Sequence, residues 1–404
     1  MRSSYKWSIG FRLLMDMRNY HALQRLRAVP IDVITKLSGL ERAPSSLGEA
    51  QAAAYLDGRL RLANWNVSAD SFHYQQGLGF NSMVVGIPAL VCVVLYFYLP
   101  YPSLFLALWC LLVSLVLLRD PDWQIFSKRR QSQNIVATQA AKSRPRRRLI
   151  LLAPIDAPLV MPDVIRWLCS DMRAHIGRVV ASTLLVVLLI AAWFGPYELR
   201  VGLWVAQSLP MFYLLFLSGL EYWQYRMPVS PGATCYAASL AALISTAEEL
   251  SELERTEVWV AGIGASSNGA GLRNLLARYP FDKDMTYFVV LGGIGAGNLC
   301  YITRQGFGKS IVSSPQLREL AAEADAADPL INAEPHIYRR SLTLSARLRN
   351  AGYHSLSIAC LDAQGNMPYR AMMGDKAQHV DLNLVERTTR FLVGLVRQAD
   401  QRKA

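Results

Sequence analysis

Hydrophobic residues follow two different patterns along the chain, and the alternation between them organises the sequence. Between residues 77 and 118 no charged residue occurs, and Pro100-Tyr101-Pro102 interrupts this run near its middle. The run predicts two membrane helices, over 83–99 and 103–118, each near the short end of the ~17 to 25 residues that cross a bilayer. A second pair is expected over 179–193 and 201–220, joined by the turn Gly195-Pro196-Tyr197-Glu198. The alternative is a buried helical hairpin in a soluble core. Four such segments with Trp and Tyr near their ends fit the aromatic belt of a membrane interface better.

Outside these runs the pattern shortens. Residues 46–64 read as an amphipathic helix opened by Ser46, with Glu49 three positions on as in a capping box. Residues 67–74 alternate as a half-buried strand. The segments 134–138 (NIVAT), 149–153 (LILLA), 258–261 (VWVA) and 287–291 (YFVVL) are short apolar runs of the kind found in strands covered on both faces. Helices are expected over 236–253, 270–278 and 382–397. Strands alternating with helices predict an α/β domain with a mostly parallel or mixed sheet sandwiched by helices. That domain is expected in three parts, 40–80, 120–177 and 221–404. They are separated by membrane hairpins at 81–119 and 178–220 and preceded by a segment 1–39.

Composition supports the membrane reading. Of 404 residues, 52% are hydrophobic and only 18% charged, and the mean hydropathy is +0.19, more apolar than a soluble chain needs. The net charge of +12 gains meaning from its location. Arg119, Lys128, Arg129, Arg130 and the run KSRPRRR at 142–148 lie between the hairpins, whereas the turn YLPYPS is uncharged. Because cytoplasmic flanks accumulate Lys and Arg, both termini and the α/β domain are expected in the cytoplasm, at the inner or plasma membrane of a bacterium. The opening MRSSYKWSIGFRLLMDMRNY lacks the apolar core of a signal peptide. It reads equally as an amphipathic helix on the membrane surface or as an ordinary cytoplasmic helix. The basic run could bind RNA or lipid, but it lacks interleaved aromatics and sits where an inside-positive loop belongs, so no nucleic-acid partner is expected. Six scattered cysteines, without a CxxC pair, read as reduced and buried.

Ligands of open α/β sheets gather outside the carboxyl ends of strands. LILLA is followed by Pro154-Ile155-Asp156, VWVA by the stretch GIGASSNG at 262–269, and YFVVL by GGIGAG at 292–297. These ends offer one carboxylate, several glycines and hydroxyls, and no ordinary zinc-ligand set. GGIGAGN departs from the dinucleotide spacing GxGxxG. Ser266 lacks the last glycine of a nucleophile elbow and is expected to be an exposed turn serine. No histidine is adjacent in sequence to Cys235 or Cys300, and the six histidines form no metal-binding spacing.

The order of these segments is more informative than any one of them. The chain resembles the M28 family of zinc aminopeptidases, the aminopeptidase Y and S type, found in degenerate form in nicastrin and nicalin. The resemblance starts at Leu40-Glu41-Arg42 and the helix EAQAAAYLDGRL, and includes the NIVA strand. The family's AH-x-D appears as Ala153-Pro154-Ile155-Asp156, and its PGAND turn as Pro231-Gly232-Ala233-Thr234-Cys235. EE-x-G appears as Ser266-Ser267-Asn268-Gly269, LD-x-IG as Leu291-Gly292-Gly293-Ile294-Gly295, and H-x-x-x-D as Ala371 through Asp375.

The resemblance implies a two-zinc peptidase fold in which the metals polarise a peptide carbonyl and a glutamate acts as base. It also places Pro154 at a histidine ligand, Cys235 at the bridging aspartate, and Ser266 and Ser267 at the base and a ligand glutamate. Gly292 falls at an aspartate ligand and Ala371 at the last histidine. Asp156 and Asp375 match carboxylates behind the ligands and remain. The expectation is therefore a metal-free, cofactor-free pocket without catalytic residues, on a protein embedded in the lipid bilayer. Such a protein would bind protein partners as a scaffold or assembly subunit of a membrane complex. A membrane-bound hydrolase repurposing Cys235 or Ser266 is the alternative. Transport is the weaker third reading, because the expected spans carry no internal charge.

Overall fold

The computed structural model describes residues 28–120, 123, 125–162, 165, 172–306 and 310–402. The opening helical segment expected before residue 28 and Cys169 lie outside the described residues. Helix α1 (Pro30–Ser38) begins on a proline, whose fixed φ and missing N–H suit a first turn. Helix α2 (Leu47–Leu62) is capped as the sequence predicts: the Ser46 side chain accepts from the Glu49 N–H.

Nine strands then form one sheet: β1 (Asn66–Gly77), β2 (Ser127–Gln139), β3 (Arg147–Pro154), β4 (Thr256–Ile263), β5 (Thr286–Leu291), β6 (Asn298–Gln305), β7 (Ile311–Val312), β8 (Glu334–Tyr338) and β9 (His354–Leu361). Their order is β1-β2-β4-β3-β5-β9-β6-β7, with β8 on β6. The sheet is mixed, one of the two forms expected. β3 pairs in parallel with β4 and β5, and β5 with β9, but β2 runs antiparallel to β1 and β4, and β6 antiparallel to β9. The parallel pairs lie mainly among the central strands, with one more at the edge, where β8 runs parallel to β6.

The central runs bury both faces. Leu149 and Leu151 of β3 pack with α1, α2 and helices α7 (Ala238–Glu249), α9 (Pro315–Ala327) and α11 (Leu382–Gln401). The intervening Ile150 and Leu152 face the opposite way, toward α8 (Ala270–Arg278) and α10 (Leu344–Asn350). Period-two alternation thus feeds two cores from one strand.

The uncharged runs form helices α3 (Met83–Leu95), α4 (Pro100–Arg119), α5 (Met172–Phe194) and α6 (Tyr197–Tyr225), packed as a bundle around Ala89, Cys92, Ala107, Cys110, Leu185 and Leu189. Three of these, not the four expected, are long and apolar enough to cross a membrane: Pro100–Arg119, Ala174–Phe194 and Tyr197–Tyr225. α3 has 13 residues, about 20 Å at 1.5 Å per residue, against a hydrocarbon core of about 30 Å. Pro88 lies inside it and Pro100 and Pro102 follow it; prolines cannot donate to the helical ladder and disfavour helix at the preceding residue.

All the connections to the bundle leave one edge of the sheet. β2 is antiparallel to both β1 and β4, so β1 runs with β4 and its end, Gly77, faces Ser127 at the start of β2. β3 ends at the same side, and a bridge between Leu159 and Val229 joins the chain leaving it to the chain returning from α6. That side is the carboxyl edge of the parallel strands.

Candidate functional site at the carboxyl edge

At this edge the backbone is drawn inward around one buried cation. The wholly buried Arg42 donates to the carbonyls of Ile155 (3.1 Å), Pro231 (3.0 Å) and Gly232 (3.2 Å). It thereby ties the exit of β3 to the turn before α7. Burial lowers the Arg42 pKa to about 10, opposed by the nearby Asp156 and Asp375. Gly232 adopts φ 61°, the left-handed region that glycine enters without strain. The chain then winds one π-helical turn, Ala233–Ala237, before α7 continues as α-helix; such turns recur at functional sites. The helix expected over 236–253 is thus shorter, and its buried residues from Ala238 to Ala247 make it ordinary core.

Asp156, 1% exposed, accepts from the backbone N–H of Ser266 (2.8 Å) and Ser267 (3.3 Å). Burial raises its pKa, and these hydrogen bonds pull it back. Ser266 is therefore buried beside Asp156, not the exposed turn serine expected, while Ser267 is exposed. The reason is the strained bend before them. Ala265 sits at φ 42° and donates its N–H to Glu49 Oε1 (2.8 Å), which also accepts from the Ser132 hydroxyl (3.0 Å). Burial, with Asp156 nearby, lifts the Glu49 pKa to about 7.

On the other side Asp375, fully buried, accepts from the Thr234 N–H (2.6 Å), and its Oδ2 is buried without a hydrogen-bond partner among the described residues. Burial raises its pKa too. Ala371 is held at φ 57° in a loop tied to the bundle connections. Met161 donates its N–H to the Ala371 carbonyl (2.8 Å), and the Ser230 hydroxyl donates to that of Met372 (2.9 Å).

Pro154 is buried at the last position of β3. Cys235, 1% exposed, lies in a cluster with Cys300, Ile302, Tyr338, Ala359, Leu361 and Met367. Its carbonyl accepts from the Gly293 N–H (2.9 Å). At Gly292 an added Cβ would meet nothing within 4 Å, so a side chain there would project into open space. Cys92, Cys110, Cys235, Cys300 and Cys360 are all buried and none is in a disulfide.

The fold thus gathers the strand ends, the PGATC turn and the Ala371–Asp375 loop at one edge. Sequence reasoning missed the groups that fill the middle. Arg42 marked only the start of a resemblance, and Glu49 was read only as a capping residue. Arg370 gave no signal: it donates to Tyr338 Oη (2.8 Å) and Ser341 Oγ (2.7 Å), and Tyr338, Tyr236 and Cys235 nearby raise its pKa. A search for partners of a buried guanidinium could have singled out Arg42; nothing in sequence joins Arg370 to Tyr338, 32 residues apart. Among the described residues no three His, Cys, Asp or Glu side chains are grouped to hold a metal ion.

Comparison with protein-family models and with curated proteins finds no match to the sequence. Solved structures do match. The aminopeptidase from Aneurinibacillus sp. strain AM-1 superposes with a TM-score of 0.52 at 14% identity, covering 93% of this chain and 94% of that one. A zinc aminopeptidase from Bacillus subtilis gives 0.56 at 12% identity, over 93% and 95%. The glutaminyl cyclase of Bacteroides thetaiotaomicron, solved with N-acetylhistamine, gives 0.51 at 11% identity, over 93% and 97%. The α/β domain therefore has the zinc-aminopeptidase fold, and at these identities the likeness is one of fold.

Proposed function

We propose that this chain is a membrane-embedded, catalytically inactive member of the aminopeptidase fold that acts by binding, as a scaffold or assembly subunit of a membrane complex. The observation that carries the reading is the chemistry of the carboxyl edge. A zinc pair needs a close set of imidazoles and carboxylates, whereas the positions that match ligands carry Pro154, Cys235, Ser266, Ser267, Gly292 and Ala371. Pro154, Gly292 and Ala371 offer no donor atom on a side chain. The carboxylates that remain, Asp156 and Asp375, are engaged by backbone N–H groups. This donor set does not fit a zinc pair.

Three long apolar helices with large outward-facing apolar side chains favour insertion in a bilayer, and the loop charges favour a cytoplasmic α/β domain. The bundle joins the domain at the edge that holds the site, so a partner reaching this edge belongs to the membrane or lies on it. A hydrolase working through Cys235 or Ser266 has less support. The Cys235 thiol is buried and donates to the Pro368 carbonyl (3.6 Å), and Ser266 is buried against a carboxylate rather than an imidazole.

The test uses the full chain purified in mild detergent. Metal analysis without stoichiometric zinc, and no turnover of aminoacyl substrates or labelling of Cys235 or Ser266 by hydrolase probes, is expected. A photo-crosslinker at the exposed Ser267 in native membranes should trap one discrete partner. Stoichiometric zinc with aminopeptidase turnover would overturn the reading; probe labelling lost in Cys235→Ala or Ser266→Ala would replace it with the hydrolase.

A further inference from the structure

The β1–β2 hairpin outgrows the sheet it belongs to. β2 meets β4 only from Ile135 onward, so Ser127 to Asn134 pair with β1 alone and form a two-stranded arm. The arm sits against the bundle: Leu78 donates its N–H to Phe126 (3.1 Å), and Asn81 receives the N–H groups of Ile125 (3.0 Å) and Phe126 (3.3 Å). Its first residues carry consecutive cations, Lys128, Arg129 and Arg130, all exposed although strand side chains alternate in direction. Both sides of this stretch of the arm therefore present positive charge.

At the foot of the arm, where Gly79 lies against Tyr225, exposed apolar and aromatic side chains gather. Phe80 packs on Tyr222 with ring centroids 5.1 Å apart, and Arg226 stacks over Tyr222 at 4.9 Å. Phe80, Ile125, Phe126, Trp223 and Tyr225 are all more than a third exposed. Arg119 and Arg226, both exposed, extend the positive band at the ends of α4 and α6. The described acids in the band are Asp120 and Glu221, and Glu221 pairs with Arg178.

We propose that this arm grips the anionic headgroups of the bilayer that holds the bundle. The proposal rests on the membrane reading above. Position and charge select the occupant. At about 3.3 Å per residue, Arg130 lies within about 10 Å of Ser127 along the strand, comparable to the distance over which a charged membrane surface acts. The aromatic cluster at its foot supplies the interfacial contacts that hold such a segment at headgroup depth. The opposite end of the sheet carries a second basic set, Arg144 and Arg146 before β3 with Arg255 before β4, around a cleft of about 350 Å³. That set lies at the other end of β3 and β4 and serves as the internal control.

The test reconstitutes the full chain into nanodiscs of phosphatidylcholine with and without phosphatidylglycerol, and reads the lipid retained around the protein by native mass spectrometry. The wild type should enrich phosphatidylglycerol, less so as salt rises. Combined Lys128→Gln, Arg129→Gln and Arg130→Gln substitutions should cut that enrichment at least tenfold, given about fivefold per surface cation. Arg144→Gln with Arg146→Gln should leave it unchanged. Insertion without anionic enrichment, equal loss in the control variant, or RNA binding by the arm that outcompetes phosphatidylglycerol would each overturn the proposal. Failure of the wild type to resist alkaline extraction from membranes would instead remove the membrane reading, and this proposal with it.

Discussion

The sheet domain and the helical bundle are built inside out relative to one another. In the sheet domain the largest fully buried side chains include Phe288, Phe391, Ile150 and Leu151 beside Arg42, and buried charges such as Arg42, Asp156 and Asp375 gather at the carboxyl edge. In the bundle the buried positions include Ser103, Ser114, Ser182, Ser218 and Gln207, and the outward positions include Phe105 at 67% exposure, Leu209 at 73% and Phe212 at 61%. Ser114 and Ser182 hydrogen-bond across α4 and α5 at 2.9 Å. Gly86 lies so close to α6 that an added Cβ would stand 2.5 Å from the Ser218 hydroxyl oxygen. Small and polar residues inside, with large apolar ones outside, are how helices associate when the surroundings are as apolar as their own side chains. In the proposed membrane setting, one chain is fitted to two solvents.

Phe288→Ala, which empties a ring packed between Phe281 and Tyr353, should have the largest effect, costing about 3–5 kcal/mol of domain stability, read by denaturant unfolding. Leu209→Arg, on the outward face of α6, should cost about 2.5–3.5 kcal/mol of insertion, read as loss of the membrane-integrated fraction. If the bundle instead faced water, that change would stay within about 0.5 kcal/mol, and the comparison would collapse.

Next comes pH. Glu49 titrates near 7 in the folded chain and near 4.3 when unfolded, so the folded state binds the extra proton between those values. Stability should therefore be full below about pH 4 and fall as pH rises toward 7, by up to about 3 kcal/mol. Asp156 and Asp375, also raised, act with the same sign. Melting curves across this range should flatten in Glu49→Gln. An unchanged slope would show that burial does not govern this carboxyl.

The smallest effect concerns Gln207, whose amide nitrogen and oxygen are both buried and without a hydrogen-bond partner among the described residues. Gln207→Leu should stabilise the bundle by about 1–2 kcal/mol, seen as a higher melting temperature in detergent. Destabilisation would mean that the amide has a partner inside the folded bundle itself, such as a trapped water.

The sheet domain was the more legible of the two regions. NIVAT, LILLA, VWVA and YFVVL lie within β2, β3, β4 and β5 because an uninterrupted apolar run is what a strand with two buried faces requires. β8 (EPHIY) was missed because it begins on a charge and a proline and is largely exposed. The sheet's antiparallel pairings depend on which strands meet, which no single run encodes. Within the bundle, apolar length was readable but the stop in α3 was not, since Pro88 lies inside the helix it fails to end. At the carboxyl edge, motif order pointed to Asp156, Cys235 and Asp375. The partners of Arg42 lie more than 100 positions away, and local pattern carries no record of them.

The pairing of Gly77 with Ser127 has a consequence for how the chain is made. The two strands of that hairpin are synthesised on either side of the first apolar pair, and the strands β3 and β4 on either side of the second. Were those segments slack, each would have to close a long loop before its sheet contacts could form. A pair of antiparallel helices brings the chain back to where it left. In the proposed membrane setting, biogenesis should therefore run from the membrane outward: the apolar segments reach the bilayer first, and the sheet domain is assembled on the ends they return.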